Sequence, residues 1–213
     1  SSLVGSEMCI RDRVQFPLRT TWITRNRFKN DQGTLWVTIP VWKKNLGLQS
    51  IDNVRICHEG RWAKKHMASF KKAYAGAPYF QEHCDFVEAL FAAKYEKILD
   101  FNLKIIRYFF RVLNIGTQIV RQSELAVRAK GDRLLIEICR RTGASDFLVH
   151  KEVCKFLDAV QFDRAGIQLK PYTSPAPVYP QLWGDFIANL SIIDLIFNCG
   201  PKALEIMAAG KKV

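Results

Sequence analysis

The feature that most restricts the fold is an alternation, between residues 117 and 172, of short β-branched segments with helix-length amphipathic ones. Residues 117–121 (TQIVR), 146–150 (DFLVH) and 167–172 read as strands. Residues 132–141, stopped by Gly143, and 152–160 read as the helices between them. Strands joined through helices of this length need crossovers, which are right-handed and bring successive strands parallel. The expected class is therefore α/β, with a parallel sheet in a three-layer, nucleotide-binding-like arrangement and a helix-rich middle.

Residues 35–41 (LWVTIPV), bounded by Gly33 and by Lys43 and Lys44, form a strand pattern, with 54–57 as a short neighbour. Residues 61–75 read as a basic helix. Gly76, Pro78, Tyr79 and Phe80 punctuate the next turn, and 86–113 read as two helices with Asp100 or Asn102 capping between them and Gly116 as a stop. A last helix spans 190–198, stopped by Gly200. Ser191 and Asp194 have the spacing of a capping pair. Four prolines stiffen residues 171–180, a composition suited to a pocket rim.

The first thirteen residues, SSLVGSEMCIRDR, have neither the apolar core of a signal peptide nor a clear periodicity. They resemble a translated sequencing-adapter tail. We set them aside as artefactual, which leaves a single domain over 14–213 and an opening strand missing before Val14. Hydrophobic residues make up 48% of the 213 and charged residues 24%, too apolar a mixture for a disordered chain. No stretch approaches the ~20 apolar residues of a membrane span. Six cysteines without a Cys-x-x-Cys pair fit free thiols in a reducing compartment, and the expected location is the cytoplasm.

Charge is unevenly placed. Residues 14–72 hold twelve Lys or Arg against three acids, nine of the twelve net positive charges. Such a field implies an anionic partner, whether a nucleotide or sugar-nucleotide phosphate, nucleic acid or an anionic membrane surface, unless the face is merely solvated. Arg25 and Arg27 flank Asn26 and suit bidentate contacts to a diphosphate, with Lys29 as a further point charge, although alternation along a strand would turn some of these side chains to solvent. On the basic helix Lys64, Lys65 and His66 follow Arg61, and Trp62 offers a stacking ring. His66 is the general-base candidate because its ordinary pKa lies near 6.5.

A parallel sheet places ligands at the carboxyl ends of its strands, which draws attention to Gln122, Ser123 and Glu124 and to His150 and Lys151. Ser123 and Glu124 could hold or deprotonate a substrate hydroxyl or amine. Equally, Ser123 could cap the next segment while Glu124 pairs with Arg128. Cys57, His58, His83 and Cys84 match no standard zinc spacing, so no metal is expected. Without a Gly-x-Ser-x-Gly elbow, a phosphate-cradling glycine loop or a dinucleotide fingerprint, hydrolase, kinase and dehydrogenase readings are disfavoured.

Several segments in order resemble the WbqC-like protein family. They begin with Arg25, Asn26, Arg27, Phe28, Lys29, Gly33 and Trp36 to Val41, and continue with Trp62, Lys64, Lys65 and His66, then Tyr74, Ala77, Pro78, Tyr79 and Phe80. Ser123, Glu124 and Leu125 follow, then Arg133 and Leu134, Ile138 and Cys139, Phe156 to Asp158, Gly166 and Ile167. Tyr179, Pro180, Gln181, Phe186 and the run from Leu190 to Asn198 with Gly200 complete the set. The resemblance implies an opening strand and a His-Gln-Pro segment, which this sequence does not show before Val14, Gln15 and Phe16. It also adds Tyr79, Tyr179 and Gln181 to the binding candidates, and implies a role in O-antigen or other surface-polysaccharide biosynthesis in bacteria.

The leading expectation is a group transferase that takes a sugar nucleotide or glycan precursor, with no cofactor identified. Two alternatives stand beside it. One is a nucleic-acid-binding module that uses Trp22, Trp36, Trp42 and Trp62 among the bases. The other is a non-catalytic scaffold in polysaccharide assembly.

Overall fold

In chain order the computed structural model contains β1 (Glu7–Ile10), β2 (Arg25–Asn30), β3 (Gly33–Thr38), α1 (Trp62–Tyr74), α2 (Phe80–Ala92), α3 (Ile98–Val112), β4 (Gln118–Arg121) and α4 (Gly131–Thr142). There follow β5 (Asp146–His150), α5 (Lys151–Cys154), α6 (Ala159–Arg164), β6 (Gln168–Tyr172), α7 (Ile192–Cys199) and α8 (Ala203–Ala209). The structure describes residues 7–19 and 21–209. The chain, read from sequence as one domain from residue 14 onward, divides into two units. One joins the residues up to Val14 with Gly116–Pro175, and the other joins Gln15–Ile115 with the residues from Ala176.

The first unit holds two parallel ladders. β1 pairs with β4 from Glu7 opposite Gln118 to Ile10 opposite Arg121, and β5 pairs with β6 from Asp146 opposite Gln168 to His150 opposite Tyr172. Glu7–Ile10 belong to the stretch that the sequence reading sets aside, whose residues 1–6 lie outside the described residues. Just past the strand, Asp12 is buried and accepts hydrogen bonds from the Ser123 amide and hydroxyl. Helix α4 serves two apolar clusters. Leu134 and Ile138 pack with Val127, Cys9 and Leu125, while Ile136 and Cys139 pack with Phe162 and Ile167. The helix expected at 152–160 is two short ones, because Asp158 accepts from the amides of Val160 and Gln161 and so starts α6 afresh.

In the second unit β2 and β3 form an antiparallel hairpin. Asn30 lies opposite Gly33, so only Asp31 and Gln32 connect the strands, a loop too short for anything but a hairpin. Phe28 and Val37 face a core with Phe70 and Tyr74 of α1, Phe80 and Val87 of α2, Phe109 of α3, and Ile196 and Phe197 of α7. A second cluster gathers Phe16, Ile39, Val54, Ile56, Ile98 and Phe101. Residues 54–57 make isolated bridges, Ile56 with Val41 and Arg55 with Lys97, in place of the expected strand. The break between α2 and α3 falls at 93–97. Asp100 and Asn102 lie inside α3, whose start is fixed by the Ile98 amide donating to the Val54 carbonyl and by complete burial of Ile98.

The class is thus mixed α/β with short parallel pairs. Among the described residues the strands pair two by two, two ladders parallel and one antiparallel, so the three-layer parallel sheet expected from the crossovers is not formed there. No helix among the described residues is long and apolar enough to cross a membrane.

Gly143 ends α4 in the left-handed region (φ 68°), with its amide bonded to Arg140 and that of Ala144 to Cys139. Substitution Gly143→Ala should cost about 1 kcal/mol, read as a lower urea midpoint. Gly76→Ala, where an added Cβ meets nothing within 4 Å and φ is not left-handed, should not lower it.

Candidate functional site

Antiparallel pairing determines which side chains share a face. Arg25, Arg27 and Lys29 alternate with Asn26 and Phe28, and Arg27 sits opposite Trp36, so the three cations and Trp36 occupy the face away from the Phe28 and Val37 core. Among the described residues none of the three forms an ion pair with a carboxylate. Their surroundings differ in a graded way along the strand.

Lys29 is only 2% exposed. Its ammonium donates to Asp185 O (2.6 Å) and Gln181 Oε1 (3.2 Å). Burial of a lysine is tolerable only with such partners, and here they are neutral oxygens. Gln181 also accepts from the Ile187 amide (2.9 Å) and donates to the Ile187 carbonyl (2.8 Å), which closes the loop of residues 181–187 over the lysine. Arg27 donates to the carbonyls of Ala188 (3.0 Å) and Asn189 (2.7 Å). The Arg25 side chain makes no hydrogen bond; its guanidinium lies 3.6 Å from the centroid of the Trp36 ring. Trp22 and Trp36 stand 5.8 Å apart, 65% and 43% exposed, with Arg27 at 5.9 Å from each. The Nε atoms of both arginines are enclosed and donate to nothing. The open end of this face therefore offers two exposed indoles, one uncommitted guanidinium and one partly committed one.

Beneath Lys29 lies a buried polar cluster. Asp194, 1% exposed on α7, accepts from Tyr74 Oη (2.7 Å) and Tyr179 Oη (2.9 Å), and more weakly from Asn198 Nδ2 (3.4 Å). Tyr74 Oη in turn accepts the backbone N–H of Lys29 (3.1 Å). Burial pushes the Asp194 carboxyl above its usual range despite these donors and the nearby Lys29 charge. Burial likewise raises the Tyr74 and Tyr179 hydroxyls, and the adjacent carboxylate adds to the effect. Ser191 caps α7 as expected, accepting from the Ile193 amide. Asp194 does not return to the cap: the Ser191 amide already donates to Arg27 O, and the carboxylate points inward.

Other candidates are distributed more widely. Asn26 is exposed and accepts from the Arg27 amide. Trp62 is tethered through Nε1 to Cys57 O (2.8 Å), with His58, His66 and Phe91 around its ring. Lys64 and Lys65 are exposed on α1. His66 Nε2 donates to Thr38 O (2.8 Å), which leaves Nδ1 as the acceptor nitrogen of the neutral ring. Thr38 is the ladder partner of Arg25, which places His66 at the open end of the hairpin. Tyr79 is half-buried against Gly200, where an added Cβ would lie 2.5 Å from its ring. In the first unit Ser123 is bonded to Asp12, and Glu124 pairs with Arg121 (2.8 Å) where Arg128 was the sequence alternative. His58 is bonded to Tyr95 O and His83 to the Tyr108 hydroxyl, and among the described residues no three His, Cys, Asp or Glu gather as a metal site.

The sequence reading missed the Asp194, Tyr74 and Tyr179 cluster, since three residues so far apart along the chain meet only through packing. The opposition of Arg27 and Trp36 did have a signal. Counting outward from the turn at Asp31 and Gln32 gives that register directly.

The model of the WbqC-like protein family matches residues 4–206. The chain belongs to this family. A curated relative, the uncharacterized protein Rv1507c of Mycobacterium tuberculosis, is 28% identical over 200 residues, spanning 92% of this chain and 85% of the relative. No solved structure matches.

The Asp194 carboxyl has a folded pKa above its ordinary 3.8. Its contribution to stability is then full below the unfolded value and falls as pH climbs toward the folded one. From about pH 3.5 upward the wild type should lose stability relative to Asp194→Asn, followed as the difference in thermal midpoints. A difference moving the other way would contradict the desolvation argument.

Proposed function

We propose that this WbqC-like protein is a group transferase that acts on an activated sugar or glycan precursor in O-antigen or related surface-polysaccharide biosynthesis. The observation that carries the reading is the open end of the β2 and β3 face, where Arg25 and Arg27 lie beside Trp22 and Trp36 with no carboxylate to neutralise them. A diphosphate is matched by guanidinium N–H groups, and a base or sugar ring by exposed indole faces. The family name supports the pathway.

In this reading Arg25 and Arg27 hold the phosphates and Trp22 and Trp36 stack on the ring. Lys29 and Gln181 act from beneath, fixing the 181–187 loop, and Tyr179 does so through Asp194. His66 Nδ1 is the proton acceptor at the same end of the hairpin. Lys64 and Lys65 add to the attraction of an anion at longer range, while Tyr79 bears on the site through its packing. Ser123 and Glu124 are engaged within the first unit, and no step is assigned to them.

Calorimetric titration with UDP-glucose, and with GDP- and dTDP-sugars, tests the reading. Binding should persist at 150 mM salt, with Arg25→Gln and Trp36→Ala each weakening it by about tenfold, the scale of one charge-assisted contact. The exposure of the same tryptophans favours a second reading, a single-strand nucleic-acid surface. Affinity for a thymidine decamer that falls steeply with salt, together with no sugar-nucleotide binding, would select it.

A further inference from the structure

The first unit carries a separate cationic groove, between α4 and α6. On α4, Arg133, Ile136, Glu137 and Arg140 follow the i, i+3, i+4, i+7 spacing that puts side chains on one helical stripe. On α6 and its C-cap, Gln161, Arg164 and Ala165 do the same at i, i+3, i+4. The two stripes line a groove of about 230 Å³.

Its charge is uneven in a way that favours a dianion. Glu137 bonds Arg140 at 2.9 Å and neutralises it. The side chains of Arg133 and Arg164 form no hydrogen bond or ion pair. Arg164 feels the Asp158 carboxylate at longer range but forms no ion pair with it; the near donors to that carboxylate are the Val160 and Gln161 amides and the Gln161 side chain at 2.8 Å. Two guanidiniums are left over, one on each wall, against a phosphate monoester that carries close to two negative charges at neutral pH. The buried Ile136 and the half-buried Ala165 give the groove an apolar part that suits the C–H face of a small ring.

We propose that this groove binds a small phosphate monoester of about the size of a hexose phosphate, gripped by Arg133 from α4 and Arg164 from α6. Glu137 sets the number of free charges by keeping Arg140 occupied. The proposal rests on residues of the first unit alone and is independent of the hairpin site.

Phenylglyoxal modification of the full chain, mapped by mass spectrometry, resolves the site directly. Glucose 1-phosphate at 150 mM salt should protect Arg133 and Arg164 at least threefold, while Arg107, exposed on α3, stays reactive. Glucose should protect neither. In calorimetry performed in an Arg25→Gln background, which suppresses the hairpin site, adding Arg133→Gln and Arg164→Gln together should weaken glucose 1-phosphate at least tenfold, and adding Glu137→Gln should leave it as tight or tighter. Equal protection of Arg107, equal protection by glucose, no protection at all, or an affinity unmoved by the double substitution would each overturn the proposal. The footprint on the unsubstituted chain keeps the test valid if a variant fails to fold.

Discussion

A single buried carboxylate organises the second unit. Asp194 receives the hydroxyls of Tyr74 from α1 and Tyr179 from the proline-bounded loop, and Tyr74 passes the connection to the Lys29 amide on β2. One helix, a second helix, a strand and a loop are thereby referred to one pair of oxygens. A buried carboxyl is costly unless its lone pairs are met, and the donors that meet it cannot be removed without leaving polar groups stranded in the core. That requirement makes the position of α7 over the hairpin specific where apolar packing alone would tolerate several.

The division of the cationic strand follows from this anchor. With Lys29 held at the buried end, Gln181 and Asp185 close over its ammonium and the carbonyls of Ala188 and Asn189 reach Arg27. The covering segment gives one cation two acceptors, the second two acceptors through a single terminal nitrogen, and the Arg25 side chain none. An alternating basic run in the sequence becomes, in the fold, a graded series whose last member has no side-chain hydrogen bond. The aromatic side chains sharpen the gradient, because a guanidinium stacked on indole keeps its in-plane N–H groups free while its face is covered.

Much of the element order was legible. The spans of β5 and α4 and the stop at Gly143 follow from periodicity and from the one residue that adopts a left-handed backbone cheaply. Parallel pairing of β5 with β6 follows from the helices between them. The misplaced break between α2 and α3 has a different origin. Asp100 and Asn102 carry the capping side chains, but Ile98 must begin a helix to fill the space beside Val54, and burial outweighs a cap. The division of residues 152–160 went the other way: Asp158 capped α6 locally within an apparently continuous helical pattern.

The sequence by itself determined the inventory: a basic amino-terminal third, tryptophans set among its charges, strand and helix periods in order, and the ordered segments that mark a WbqC-like protein. Those properties reside in local spacing, which a linear reading measures. Only the tertiary structure decided that Lys29 is buried and bonded while the Arg25 side chain is left without a hydrogen bond, that Asp194 serves two tyrosines instead of its own helix cap, and that arginines on α4 and α6 line one groove. Each of these turns on which distant group reaches a polar atom first, and that competition is settled by packing across the core rather than by neighbours along the chain.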